Sequence, residues 1–390
     1  MRTIPFFKLD SSGNEAAYVM QALQSGWLTT GPFAAKFEKQ FQEMIGAPHA
    51  LAVNSCTSAL HLALDALGVK AGDKVLVPTW TFTASAEVLR YMGADPIIVD
   101  VEYASGLLRP EAVTQALEKH PDLKGVIAVH FAGHPAELVN DAGNGIQDIC
   151  RKHGLFLIED AAHSFPTRLK GKLIGSFGDA TCFSFYANKT ITTGEGGMLT
   201  TNNAELFKRT KLMRLHGIDR DVWDRFTSRK AGWEYDVVAP GFKYNLPDLN
   251  AAVGLAQLER VEALRAARQK CAEIYLKRLG QHELVSVIHP KVPLEDHAWH
   301  LFPIYLQAGV KLSRNEVIEK INAQGIATSV HYKPLHRLKY YGETYSLKES
   351  DYPVAERMWS SCLTLPLFAG LSDEDVHYVC DNVLKIVEGA

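Results

Sequence analysis

A lysine that is to act as a nucleophile near neutral pH must be stripped of water, and Lys189 sits in a stretch suited to that. It lies within Phe183-Ser184-Phe185-Tyr186-Ala187-Asn188-Lys189-Thr190-Ile191-Thr192-Thr193-Gly194-Glu195-Gly196-Gly197. The apolar run from Ala180 to Phe185 predicts a buried strand. The chain then turns small and polar around the lysine and reaches glycines that let backbone pass close to a bulky group. A desolvated amine in such a place can be neutral and condense with an aldehyde. Most lysines sit on surface loops, so this segment alone does not decide the matter.

A second group joins it. Leu155 to Ile158 is another continuous apolar run, and it ends in Glu159-Asp160-Ala161-Ala162-His163. A carboxylate at the carboxyl end of a buried parallel strand lies where open α/β sheets bind ligands. Pyridoxal phosphate needs a lysine for its aldehyde and an acid that keeps its pyridine nitrogen protonated, so that the ring can take up electrons from a breaking Cα–H bond. Asp160 could equally cap a helix beginning at Ala161-Ala162. A third group is Asn54-Ser55-Cys56-Thr57-Ser58-Ala59-Leu60. Leu60, Leu64 and Leu67 recur at helical spacing before Gly68, a C-cap residue, which places Thr57 and Ser58 at a helix N-terminus. Free N–H groups and the helix dipole favour a phosphate there, although ordinary capping is the commoner use of such residues. Cradle, strand-end acid and loop lysine together carry more than any one of them.

The elements that must position these groups alternate along the chain. Val75–Val77, Pro96–Val101, Val126–Phe131, Leu155–Ile158 and Ala180–Phe185 predict strands, with helix-length segments between most of them. That alternation implies an α/β fold with right-handed crossovers and a mainly parallel sheet buried on both faces. Leu255, Leu258, Val261 and Leu264 mark one long helix, and Asp219 to Tyr235 predicts a long loop.

The ordered set resembles the DegT/DnrJ/EryC1/StrS family of sugar-nucleotide aminotransferases, from about Pro5 to the C-terminus. The residues that carry the likeness are Gly26-Trp27-Leu28-Thr29-Thr30-Gly31-Pro32, Ile158 to His163, Phe183 to Gly197, Met213-Arg214-Leu215-His216-Gly217, Gly241-Phe242-Lys243-Tyr244-Asn245-Leu246 and His331-Tyr332-Lys333-Pro334-Leu335-His336. Within the family, Thr227 to Asn245 and His297-Ala298-Trp299-His300-Leu301-Phe302 are most similar to the UDP-4-amino-4-deoxy-L-arabinose–oxoglutarate aminotransferases. Tyr186-Ala187-Asn188 before the lysine and Thr190 after it depart from that branch, which leaves a pentose and a 6-deoxyhexose both open.

The resemblance implies a fold-type I aminotransferase: a large domain (1–250) with a mainly parallel seven-stranded sheet flanked by helices, then a linking helix and a smaller α+β domain (251–390). It implies pyridoxal 5'-phosphate as cofactor, with pyridoxamine 5'-phosphate as its alternate form. Lys189 would bind the aldehyde and move protons, Asp160 would pair with the ring nitrogen, and His163 would bond the phenolic oxygen. Phe82 would stack on the ring, with Trp80 as the competing aromatic. Thr57, Ser58 and Ser184 would contact the phosphate, and Asn245 would reach it from the neighbouring subunit of a homodimer. Thr29 and Thr30 would flank the sugar, and Lys243, His331, His336 and Arg214 could meet its diphosphate. The expected substrates are L-glutamate, leaving as 2-oxoglutarate, and a nucleotide-linked keto-sugar aminated at C4.

Composition narrows the alternatives. The 390 residues are 47% hydrophobic and 22% charged, ordinary globular values, and the net charge of -3 comes without a basic stripe that would bind nucleic acid. No apolar run reaches membrane-spanning length. Cys56, Cys150, Cys182, Cys271, Cys362 and Cys380 are scattered without a CxxC pair, as expected of reduced thiols in a cytoplasmic protein with no zinc site. A nicotinamide site would need GxGxxG after an early strand; Gly194-Glu195-Gly196-Gly197 lies mid-chain and opens into Met198-Leu199-Thr200, itself strand-like. A sugar dehydratase of the same fold would carry histidine where Lys189 stands.

Overall fold

The computed structural model describes residues 2–219 and 235–389. Most of the expected long loop at Asp219 to Tyr235, and much of the Thr227–Asn245 segment, lie outside them.

The strands, in chain order, are β1 (His49–Val53), β2 (Lys74–Pro78), β3 (Asp95–Val99), β4 (Leu123–Val129), β5 (Phe156–Asp160), β6 (Arg168–Leu169), β7 (Lys172–Leu173), β8 (Ala180–Ser184), β9 (Gly197–Thr201), β10 (Val285–Val287), β11 (Phe302–Leu306) and β12 (Cys362–Leu365). Seven of them form one sheet in the order β1-β9-β8-β5-β4-β2-β3. β2, β3, β4, β5 and β8 pair in parallel, and only β9 runs against its neighbours β8 and β1. The five strands expected from the apolar runs are all present, and the sheet is the mainly parallel one expected. Its burial on both faces is visible residue by residue in β4. Ile127 packs into the core cluster on one face, while its neighbours Val126 and Ala128 pack into the cluster on the other.

Parallel pairing brings the strand ends to one edge. Ser184 of β8 pairs with Gly197 of β9, which in turn faces Val53 of β1, and β5 ends beside them at Asp160. Ligand groups that leave β1, β5 and β8 therefore converge. The approach is close: a Cβ on Gly197 would lie 2.5 Å from the Ser55 carbonyl carbon and 2.7 Å from Cys56 N. Glycine is the residue that lets the strand meet the following helix.

The helix after β1 spans Cys56–Ala66; Ser55 caps it by accepting from Ser58 N at 3.0 Å, and Gly68 just beyond it has φ 75°. The helix that Asp160 might have capped does not form. The chain turns after β5, and Asp160 Oδ1 instead accepts from Ala162 N at 3.2 Å. The single long helix expected over Leu255 to Leu264 is two, Asp248–Leu258 and Val261–Leu279. The residues at the break are tied to the N-terminal segment: Tyr18 Oη donates to Glu259 at 2.6 Å, and Arg260 makes two 3.1 Å bonds to Asp10.

Beyond these helices, β10, β11 and β12 form an antiparallel sheet. Val261–Leu279, Arg314–Ala323 and Asp373–Glu388 bury apolar residues in a core shared with that sheet. All six cysteines are buried and free. Among the described residues, no helix is long and apolar enough to cross a membrane, and no cluster of His, Cys, Asp or Glu could hold a metal ion.

Candidate active site

At the converging strand ends lies a cavity of about 470 Å³, lined by residues that include Thr57, Phe82, Asp160, His163, Ser184, Lys189 and His331. The sequence places these seven across 275 positions; parallel strand pairing brings them into one pocket.

Lys189 follows β8 in a turn in which its N–H donates to Tyr186 O at 3.0 Å. Burial lowers its amine from 10.5 to about 8, against the raising effects of Cys56 and Asp160. Loss of hydration penalises the ammonium more than the nearby carboxylate stabilises it. Asp160 is buried, and its carboxylate accepts from Ser85 Oγ at 2.6 Å and from Ala162 N at 3.2 Å, with the Cys56 thiol 3.8 Å away. The next acid back, Glu159, lies on the opposite side of the strand and serves structure. It accepts from Thr181 Oγ1 at 2.6 Å and Gly178 N at 2.8 Å, and meets His130 Nε2 at 3.1 Å.

His163 Nδ1 accepts from Ala132 N at 3.2 Å, so in the neutral ring Nε2 carries the proton, and it donates to Tyr332 Oη at 2.9 Å. Burial, with the charges of Lys189 and His331 behind it, holds the ring's pKa far below the usual histidine value. Burial and Lys189 likewise bring His331 down to about 4, and its Nδ1 lies 3.0 Å from Thr364 Oγ1.

The two candidate aromatics differ in position. Trp80 is fully buried, edge-on to Phe131 at 6.3 Å, whereas Phe82 is 61% exposed at the cavity wall, 6.0 Å from the Tyr332 ring. At the phosphate-type cradle, Thr57 and Ser184 line the cavity. Ser58 does not: its buried hydroxyl donates to Asn54 Oδ1 at 2.6 Å and lies 2.8 Å from Ser55 Oγ. Its part is to tie the helix start in place.

Other expected contacts fall elsewhere. Asn245 donates to Thr30 Oγ1 at 2.7 Å and accepts from Lys243 Nζ at 2.6 Å, and its Nδ2 is 3.5 Å from Thr29 Oγ1. With Thr30 and Arg214 it borders a second cavity, of about 710 Å³. Arg214 is committed to the Glu38 carboxylate at 2.6 Å and Ala52 O at 2.8 Å. His336 is not brought to either cavity. It is buried, stacks on Tyr352 at 4.2 Å, and lies 2.7 Å from both Thr79 Oγ1 and Glu356 Oε1.

Sequence reasoning did not single out Ser85, Cys56 or Tyr332, though all three touch the groups above. Tyr332 was adjacent to a chosen histidine. Ser85 and Cys56 offered no signal, because a serine in a helix and a cysteine between a serine and a threonine have many uses. Asp248 was also missed. Fully buried, it accepts from Gly31 N at 2.8 Å, Ala34 N at 3.0 Å and Phe33 N at 3.2 Å. It thereby supplies from a distant segment the cap that Gly31 cannot give to the helix Pro32–Ile45.

Residues 10–384 match the model of the DegT/DnrJ/EryC1/StrS aminotransferase family. The chain belongs to that family. The spore coat polysaccharide biosynthesis protein SpsC of Bacillus subtilis is 40% identical over 381 residues, 96% of this chain and 95% of its own length. Helicobacter pylori PseC, an aminotransferase involved in the biosynthesis of pseudoaminic acid, superposes with a TM-score of 0.91 at 27% identity, over 100% of both chains. The putative sugar aminotransferase Spr1654 of Streptococcus pneumoniae superposes at 31% identity over 99% of both chains, with TM-scores of 0.89 in its PMP-form and 0.88 in its PLP-form. The fold is thus that of the pyridoxal-phosphate-dependent sugar aminotransferases, and the chain is an aminotransferase that acts on a sugar.

Proposed function

We propose that this enzyme moves the amino group of L-glutamate onto C4 of a UDP-linked keto-sugar in a ping-pong cycle, using pyridoxal phosphate held by the Lys189 cavity. The observation that carries the reading is one amine brought down to about 8 in the same 470 Å³ pocket as a strand-end carboxylate and a helix N-terminus. The residues fit the cofactor. Of the first N–H groups of the Cys56–Ala66 helix, that of Ser58 is taken by Ser55 Oγ, while those of Cys56 and Thr57 suit a phosphate, with Thr57 and Ser184 as hydroxyl donors. Asp160 suits a protonated ring nitrogen, and Phe82 is the aromatic free to lie against a ring.

When bound, pyridoxal phosphate supplies an aldehyde that takes up the amino group and a protonated ring that accepts electrons, and pyridoxamine phosphate carries the group between the two half-reactions. The chain's own residues supply the rest. Lys189 Nζ would move the proton between Cα of the donor and the cofactor carbon. Asp160 would hold the ring proton, and the buried neutral histidines His163 and His331 line the pocket without adding charge.

The dimer belongs to the same proposal. In its own chain Asn245 stands apart from the Lys189 cavity, as suits a residue that completes the partner's phosphate site. Lys189 is the only lysine or arginine lining that cavity among the described residues, so cations for a dicarboxylate donor and a sugar diphosphate must come from elsewhere. Thr29, Thr30 and Lys243 cluster with Asn245, which supports a role for them toward the sugar nucleotide. We divide the chain near residue 250 into the cofactor-binding unit and the smaller one.

The choice of C4 and UDP is supported by the motif resemblance. From the buried run His297 to Phe302, His300 packs against His163 with ring centroids 4.4 Å apart. The lysine disfavours the dehydratase branch. Amination at C3 of a dTDP- or GDP-keto-sugar is the second reading, and the departures flanking Lys189 leave a pentose and a 6-deoxyhexose both open. A screen of UDP-, dTDP- and GDP-linked 4-keto and 3-keto sugars with glutamate, following 2-oxoglutarate, tests it. The expected result is turnover with a UDP-4-keto-sugar; turnover only with a 3-keto-sugar would overturn the regiochemistry.

A further inference from the structure

We propose that Thr81 and Ser85 form a positioning chain that fixes the Asp160 carboxylate for its work on the cofactor, an inference that rests on the functional reading above. Ser85 lies in the first turn of the helix Ala84–Tyr91 and is fully buried; its Oγ lies 2.6 Å from Asp160 Oδ2 and 2.7 Å from Thr81 Oγ1, which is itself buried. An ionised carboxylate only accepts, so Ser85 spends its one proton on Asp160. Thr81 must then donate to Ser85, and the chain has one direction: Thr81 to Ser85 to Asp160. Donors in series polarise one another and bond the charged end more strongly than either would alone.

The other carboxylate oxygen is held by Ala162 N at 3.2 Å. With both oxygens engaged, the plane of the acid is set before any ring arrives. Thr81 and Ser85 also bracket Phe82, the aromatic at the cavity wall. One short segment therefore presents a surface for the ring's face and orients the acid that meets its nitrogen, so the two contacts are set together. Cys56 adds a weaker thiol contact to the acid from the phosphate-side helix, at 3.8 Å.

The test uses the full-length chain. Wild type, Ser85→Ala, Ser85→Thr and Thr81→Val are compared by absorbance titration with pyridoxal phosphate, by the position of the bound cofactor's absorption band, and by kcat and KM for glutamate. Loss of a buried donor to a charged group corresponds to roughly a tenfold change. Ser85→Ala should weaken cofactor binding about tenfold, shift the band and lower kcat about tenfold, while KM for glutamate changes less than about twofold. Ser85→Thr should restore all three, and Thr81→Val should give a smaller loss in the same direction. Wild-type behaviour in Ser85→Ala would overturn the proposal. So would an equal loss in Ser85→Thr, which keeps the hydroxyl and changes only packing. If Ser85→Ala fails to fold, Thr81→Val decides by the same readouts. A wild-type chain that takes up no pyridoxal phosphate would overturn the functional reading itself, whereas normal uptake with indifferent variants would remove only this chain.

Discussion

The amine of Lys189 offers the sharpest quantitative prediction. Lowered from 10.5 to about 8 by burial, it is roughly 9% neutral at pH 7, where an ordinary lysine is neutral at only about 0.03%. The gain in nucleophile is roughly 300-fold. The rate at which cofactor-free protein captures pyridoxal phosphate, followed by stopped-flow absorbance, should therefore rise about tenfold per pH unit below pH 8 and level off above it. Asp160 raises this amine, so Asp160→Asn should move the midpoint downward. It should also cut turnover strongly, because an amide cannot hold the ring proton. A rate that climbs without a plateau to about pH 10 would show an ordinary, hydrated lysine and refute the desolvation argument. A midpoint that stays put in Asp160→Asn would refute the electrostatic contact between the two groups.

Asp248→Ala should strip three backbone donors around the Gly31 turn and cost about 2 kcal/mol, read as a lower denaturant midpoint at unchanged m-value. His336→Ala should lower stability by about 2–3 kcal/mol through its lost bonds to Thr79 and Glu356, with KM for the sugar nucleotide unchanged; a raised KM would return His336 to the substrate site. Burial depresses the pKa of His134 to about 3 and of His331 to about 4, and holds His163, His297 and His300 far below their ordinary value. Between pH 6.5 and those lowered values the unfolded chain binds more protons than the folded one. Stability should thus be fully present above pH 6.5 and fall by about 1.4 kcal/mol per pH unit for each such histidine as the pH drops. A Tm of the cofactor-free protein that is flat from pH 6.5 to 5 would contradict this.

Local pattern carried much of the fold. The apolar runs ending at Ile158 and Phe185 announced buried strands, and the leucines from Leu60 to Leu67 announced the cradle helix, because burial on both faces leaves a long apolar signature. β1 went unremarked, since His49–Val53 opens on a polar residue and carries two alanines, weak strand formers, among its apolar positions. The helix break at Glu259-Arg260 was hidden for another reason. Its ties run to Asp10 and Tyr18, some 240 residues away in sequence, and no local spacing reports them.

The site divides in the same way. Lys189, Asp160, Thr57 and Ser184 were legible because each stands where a predicted strand or helix begins or ends. Ser85 and Asp248 act through contacts made only when separate crossovers pack together. His336 shared a motif with His331 but turned inward to Tyr352, because the motif fixes neighbours along the chain and not which way each ring faces.

The most direct measurement is to incubate the protein with pyridoxal phosphate, reduce it with borohydride and locate the pyridoxyl group by peptide mass spectrometry. The group should be found on Lys189 in stoichiometric yield. Its absence from the protein, or its recovery mainly on another lysine, would contradict the account.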